Sequence, residues 1–339
     1  GHLGGLVSLR LDNRSAMLND AASARRLADV LGAMPRLRSL ALTGFDDTTA
    51  LTACLPRLPH LQTLRINGCR VGTQDWHAVA ANLQGLAAAG RLRHLELRAA
   101  DANDADLAFL APALAGMRSL KVLDLSGNEM GPAGLAMLAG SLEGMAELKV
   151  LDLSGNRLHG TGIAPLAGLL AHLPHLEDLQ LQGVGLAAQG LGQLGTALRG
   201  ARQLRSLALS FNPLSDGRAA DWVALLAAVP LESLRLNGCA LDSKDMGPLA
   251  AGLKACPTLK TLNLTGSDAQ VPADAQALAA GLACLPQLER CHLPVLGRAG
   301  LQVLLPALQG RGLLHLGLAP ADAELAAGQE ATAAGVETA

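Results

Sequence analysis

Nine histidines and six cysteines are the side chains of this 339-residue sequence best suited to holding a metal or attacking a substrate. The closest histidine pair is His172-Leu-Pro-His175, which has neither the i, i+4 spacing of a helical zinc pair nor a third ligand nearby in sequence. The cysteines stand singly at 54, 69, 239, 256, 284 and 291, with no C-x-x-C pair, and are read as reduced, buried small residues without disulfides. Cys291 adjoins His292, but it occupies an inward, apolar position that keeps a thiol protonated and makes it a poor nucleophile. His292 and His315 are read as surface residues. The 38 glycines fall at strand and helix ends, as in Ser126-Gly127 and Ser154-Gly155, where they serve turns and do not build a phosphate loop. We therefore expect no catalytic residue, no metal, no cofactor and no enzymatic activity. The charged residues with a pattern are Asp124 and Asp152, which stand in the nearly identical segments Leu120-Lys-Val-Leu123-Asp-Leu125-Ser-Gly-Asn128 and Leu148-Lys-Val-Leu151-Asp-Leu153-Ser-Gly-Asn156.

Those segments belong to an internal repeat. Twelve strands are expected, their first leucines at Leu6, Leu37, Leu61, Leu92, Leu120, Leu148, Leu176, Leu204, Leu231, Leu259, Leu288 and Leu313. The spacing is about 28 residues in the centre and drifts toward the ends. Within each strand the alternate leucines point inward and the residues between them face out. A helix follows, with inward leucines at i and i+4, as in Leu110 and Leu114, Leu138 and Leu142, Leu166 and Leu170, Leu194 and Leu198, and Leu249 and Leu253. Met34-Pro35, Leu173-Pro174, Val229-Pro230, Cys256-Pro257 and Leu285-Pro286 stop helices before the next strand, because the residue before proline avoids the helical region. Aromatic residues are only 1 % of the chain, so the core is aliphatic, and Trp76 and Trp222 fall at inward helix positions. The ninth position of each unit calls for a small polar group. Asn128, Asn156 and Asn212 supply amides there, Cys69 and Cys239 are weaker substitutes, and the turns at Val184, Leu296 and Phe45 are expected to be looser.

The pattern L-x-x-L-x-L-x-x-N/C over residues 6 to about 321 resembles the ribonuclease-inhibitor-like subclass of leucine-rich repeats. The resemblance implies an α/β solenoid, a horseshoe with a concave parallel sheet and convex helices. It implies one domain over 1–321 of about twelve repeats, followed by a tail or linker, or a weak capping helix, over 322–339. The ninth position departs from strict alternation of Asn and Cys, so ribonuclease inhibition is not carried over. The subclass includes enzyme inhibitors, small-GTPase activators, immune sensors and bacterial effectors, so fold leaves function open.

On such a sheet the outward residues are the natural binding surface, roughly 50 Å long for twelve strands. The fifth position reads Arg10, Ala41, Arg65, Glu96, Asp124, Asp152, Gln180, Ala208, Arg235, Asn263, His292, Gly317. Glu96, Asp124 and Asp152 form an acidic strip between Arg65 and Arg235, with Arg65 and Arg98 flanking Glu96. Two explanations stand side by side: duplicated repeats on a solvated sheet, or carboxylates kept because a partner with a basic surface needs them. Phe211, at the eighth position, is either an exposed anchor or a residue packed under the adjacent loop. The expected partner-binding set is Arg65, Glu96, Arg98, Asp124, Asp152, Gln180, Phe211 and Arg235.

A net charge of −2 gives no footprint for nucleic acid or an anionic membrane, and no apolar run is long enough to span a bilayer. The chain is read as soluble. It starts at Gly1 and enters a repeat by Leu6, as an excised segment would. Five lysines against 22 arginines, with no tyrosine, suit a GC-rich bacterial genome. The expectation is a protein-recognition scaffold, the host-target-binding domain of an effector secreted by a bacterium into host cytoplasm. The alternatives are the substrate-recognition half of a longer ubiquitin-ligase-type enzyme, or a small-GTPase-activating protein.

Overall fold

The structure, a computed structural model, describes residues 5–14, 20–46, 48–69, 71, 75–160, 162–269, 271–309, 312–319 and 336–338. The chain divides into two compact units, residues 1–157 with 168–176, and residues 158–167 with 177–339.

In the first unit the strands are β1 (Ser8–Asp12), β2 (Ser39–Thr43), β3 (Thr63–Asn67), β4 (His94–Arg98), β5 (Val122–Asp124) and β6 (Val150–Asp152). Each pairs in parallel with the next. Helices α1 (Ala21–Gly32), α2 (Thr48–Thr52), α3 (Trp76–Ala87), α4 (Asp104–Ala115) and α5 (Pro132–Ser141) connect them, and α6 (Leu166–Ala171) follows β6 in the chain. In the second unit β7 (Asp178–Gln180), β8 (Ser206–Ala208), β9 (Ser233–Arg235), β10 (Thr261–Asn263), β11 (Arg290–His292) and β12 (His315–Leu318) also pair in chain order. They alternate with α7 (Leu191–Leu198), α8 (Ala219–Leu226), α9 (Ser243–Leu253), α10 (Pro272–Leu282) and α11 (Gly297–Leu308). Of the expected tail from 322, only β13 (Val336–Thr338) is described. It adds to β12 in parallel, and the rest lies outside the described residues.

Period-two alternation sets which side chains are available. Leucines at the fourth position, such as Leu95, Leu151 and Leu234, and at the sixth, such as Leu97, Leu153 and Leu236, are buried, and so are the paired helix leucines. Each fully buried leucine contributes roughly 1.5–3 kcal/mol, and stacking lets each repeat bury the face of its neighbour. Trp76 and Trp222 are both in the core. Cys54, Cys69, Cys239, Cys256 and Cys291 are buried, but Cys284 is exposed, contrary to expectation, because it lies just past the end of α10.

The buried asparagines work across repeats. Asn128 Oδ1 accepts from the N–H groups of Ala100 and Ala102, and its Nδ2 donates to the carbonyls of Leu97 and Leu125. Asn212 likewise accepts from Val184 and Leu186 and donates to Leu181 and Leu209. Each amide therefore ties down the turn of the preceding repeat. This corrects the expectation of a loose turn at Val184: its backbone is held by Asn212, although Val184 itself brings no polar group. At Phe45 the N–H donates to Cys69 Sγ at 3.4 Å, a weaker form of the same tie.

The 24-residue step from Leu37 to Leu61 leaves too little chain for a full helix, and α2 has only 5 residues. A hollow of about 660 Å³ opens there on the helix side, lined by Arg25, Asp29, Arg57, Asp75 and Asn82 among others. Arg57 reaches across to the Ala28 carbonyl (3.1 Å) and the Asp29 carboxylate (3.3 Å).

Candidate functional site

Residues at the third, fifth and seventh positions share the sheet face opposite the buried leucines, so this face is where side chains can be presented on rigid backbone. In the first unit the register sets Arg65 beside Glu96, Glu96 beside Asp124, and Asp124 beside Asp152. The acidic strip is thus one continuous row, but it is largely buried, and Glu96 and Asp124 are ion-paired. Glu96 accepts from Arg65 Nε at 2.8 Å and from Asn67 Nδ2 at 3.1 Å, and His94 Nε2 also contacts Oε1. Burial alone would raise the Glu96 pKa. The hydrogen bonds from His94, Asn67 and Arg65, with the Arg65 charge, outweigh it and hold the carboxyl at about 2.

Asp124 is only 8 % exposed and Asp152 only 7 %. Asp124 Oδ1 accepts from both the N–H (2.9 Å) and the hydroxyl (2.6 Å) of Ser126. Its Oδ2 lies 3.1 Å from Arg98 Nε, which also donates to Ser126 Oγ at 3.0 Å. Arg98 therefore pairs with Asp124 and does not flank Glu96 as expected. Burial is the largest influence on Asp124 and pushes its pKa up, assisted by Asp152. The Ser126 bonds and Arg98 pull the other way without prevailing. Asp152 accepts from the Ser154 N–H at 2.9 Å. Sequence reasoning missed His94, which faces the same side as Glu96 by the same period of two and was the available signal.

The second unit is organised differently. Gln180 Nε2 donates to Asp178 Oδ2 at 3.4 Å. Arg235 is half-buried and makes no side-chain hydrogen bond or ion pair among the described residues. Phe211 is 63 % exposed with φ +60°, which settles the alternatives for this residue in favour of an exposed ring. The eighth-position residues Gly44, Gly68, Gly127, Gly155, Gly183, Gly238 and Gly266 share that left-handed backbone. A side chain there is disfavoured by roughly 1–2 kcal/mol, which is why glycine recurs. The Phe211 ring lies over Gly238, where a Cβ would come within 2.7 Å of a ring carbon.

Burial pushes the Cys291 thiol up to about 12. His172 Nε2 lies 3.6 Å from the exposed carboxylate of Glu143. Among the described residues no helix is long and apolar enough to cross a membrane.

Repeats built from L-x-x-L-x-L strands, parallel and in register, with a buried amide ladder at the ninth position, narrow the family. A sequence profile described as Leucine Rich repeat matches residues 116–139 and 147–167. Those residues match leucine-rich repeats. Each unit has the strand-and-helix fold of a leucine-rich-repeat solenoid. In fold, the chain is similar to one in the crystal structure of the Rad7 and Elc1 complex in yeast, at 17 % identity and a TM-score of 0.58, covering 92 % of this chain and 76 % of that one. An internalin (inlF) from Listeria monocytogenes aligns at 18 % identity over 80 % of this chain and 79 % of its own, with a TM-score of 0.47, too low to bear on this chain. No curated protein matches the sequence.

Proposed function

We propose that this leucine-rich-repeat chain is a protein-recognition scaffold that holds a partner against the open face of its sheet and performs no catalysis itself. Phe211 carries the reading. A bulky ring stands 63 % exposed at a backbone position that favours glycine, so local stability is given up for an aromatic in the solvent, as at interface hot spots. The ribonuclease-inhibitor-like subclass is supported by the central spacing of about 28 residues and by helices of 8–12 residues in most repeats. A partner with a basic surface is supported by the row Glu96, Asp124 and Asp152, of which Asp152 has no cationic group bonded to it among the described residues. The composition, rich in arginine and poor in lysine, supports delivery by a bacterium as a host-directed effector. The test blocks the face sterically. Thr63→Trp and Ser233→Trp, at third positions of β3 and β9, should abolish retention of a captured partner, while Val223→Trp on the exposed side of α8 should not. Loss of binding with the helix variant alone would overturn the proposal.

A further inference from the structure

An arginine on a sheet face that has no acceptor within the chain keeps its guanidinium donors for water or for a ligand. On the sheet face of the first unit, Arg65 and Arg98 each have a carboxylate within 3.1 Å. Arg235 has none among the described residues. Its register neighbours are Ala208 and Asn263, and the third positions of β8, β9 and β10 are Ser206, Ser233 and Thr261. At the third, fifth and seventh positions of β8 to β12 and the residues just beyond them there is no carboxylate, whereas Arg235, Arg290, His292 and His315 are present. Those positions carry donors, small hydroxyls and positive charge, and Glu232, just before β9, is taken up by Lys260 and Arg205.

Phe211 lies on the same two chain segments. Its N–H donates to the Asn237 carbonyl at 2.9 Å, Ser210 Oγ bonds Asn237 Oδ1, and its ring lies over Gly238. Gly238 follows Arg235 by three residues, in the turn that ends β9, so the two backbones are at most about 10 Å apart. An aromatic platform and an open, fork-shaped donor therefore stand a short peptide's reach apart. Guanidinium pairs a carboxylate or a phosphate in two parallel hydrogen bonds and a lysine cannot, so the arrangement suits an oxyanion, and among unmodified side chains that is Asp or Glu.

Resting on the scaffold reading above, we infer that the Arg235–Phe211 surface is a docking site for an acidic segment of the partner protein. The segment places a Glu or Asp carboxylate on Arg235 and an apolar side chain on Phe211. Charge complementarity selects this occupant: the carboxylate missing from this face is the one the partner brings.

The test uses a short fluorescent peptide with one leucine among glutamates, and matched peptides in which Gln, Lys or phosphoserine replaces Glu, titrated by anisotropy against the full chain. The Glu peptide should bind, and Gln or Lys should weaken it at least about tenfold. Arg235→Gln and Phe211→Gly should each cost about tenfold or more, Arg235→Lys should restore binding only in part, and Val223→Trp, on the exposed side of α8, should leave it unchanged. Phe211→Gly suits its left-handed backbone, so its melting temperature separates lost docking from lost folding. No binding of the Glu peptide, equal binding of the Gln peptide, preference for Lys, binding of the phosphoserine peptide alone, or indifference to Arg235→Gln would each overturn the site. If the site fails in this way while a captured partner still cross-links to β3–β6, the scaffold reading survives. If no partner is retained at all, that reading fails separately.

Discussion

The two units use one repeat to make two chemically different faces. In the first, acid and base are neighbours: Arg65, His94 and Asn67 converge on Glu96, and Arg98 with Ser126 on Asp124. In the second, Arg235 stands among Ala208, Asn263 and serines with no acid beside it, and Phe211 projects where glycine is the rule. The leucine framework beneath is the same, so the difference lies in side chains outside the leucine core. Internal compensation makes a face part of the folded structure, and lack of it leaves a face ready for something else.

The framework should be tested first, since it must be common to both units. Asn128→Ala and Asn212→Ala each strand several buried backbone groups, and each should cost about 3–4 kcal/mol in urea unfolding. Unequal costs would mean the ladder is not shared.

The faces should then diverge. Glu96→Gln should lose about 2–3 kcal/mol at neutral pH, because lowering the carboxyl from 4.5 to about 2 is folding free energy. That contribution is fully present above pH 4.5 and is lost as pH falls toward about 2. Asp124, with its pKa raised by burial, works in the opposite sense: its contribution is present below the ordinary carboxylate value and is lost as pH rises through the raised one. Arg235→Gln, by contrast, should leave the melting temperature unchanged, and a loss comparable to that of Glu96→Gln would show a hidden structural role.

Smaller effects sharpen the contrast. Phe211→Gly should change stability by no more than about 1 kcal/mol, in the stabilising direction, by relieving the left-handed backbone. Asp124→Asn with Asp152→Asn should hold or slightly raise the melting temperature. Asparagine keeps the acceptor for the Ser126 and Ser154 N–H groups while removing like charge between adjacent strands. A fall of several degrees would make these carboxylates structural.

Much of the fold was legible in the sequence because leucines at the first, fourth and sixth positions state strand, register and buried face together. The asparagines announced the inner turn, but not that Asn128 and Asn212 serve the preceding repeat, since that bond joins residues 26–28 apart. The acidic row was legible, yet its compensation was not. Which carboxylate Arg98 selects depends on side-chain direction, and a sequence gives only its position. Cys284 was misplaced because a repeat template continues past the point where α10 ends. The exposure of Phe211 was not legible because it depends on where the ring lies over the neighbouring turn at Gly238, which position alone does not give.

Site-specific photo-cross-linking is the most direct test of recognition through the open sheet face. A photoreactive residue is placed at Asn263, on the face of β10 beside Arg235, or at Val223, exposed on α8. With the captured partner bound, cross-links should form from position 263 and be absent from position 223. Cross-links from 223 alone would put the partner on the helices and contradict recognition by the sheet.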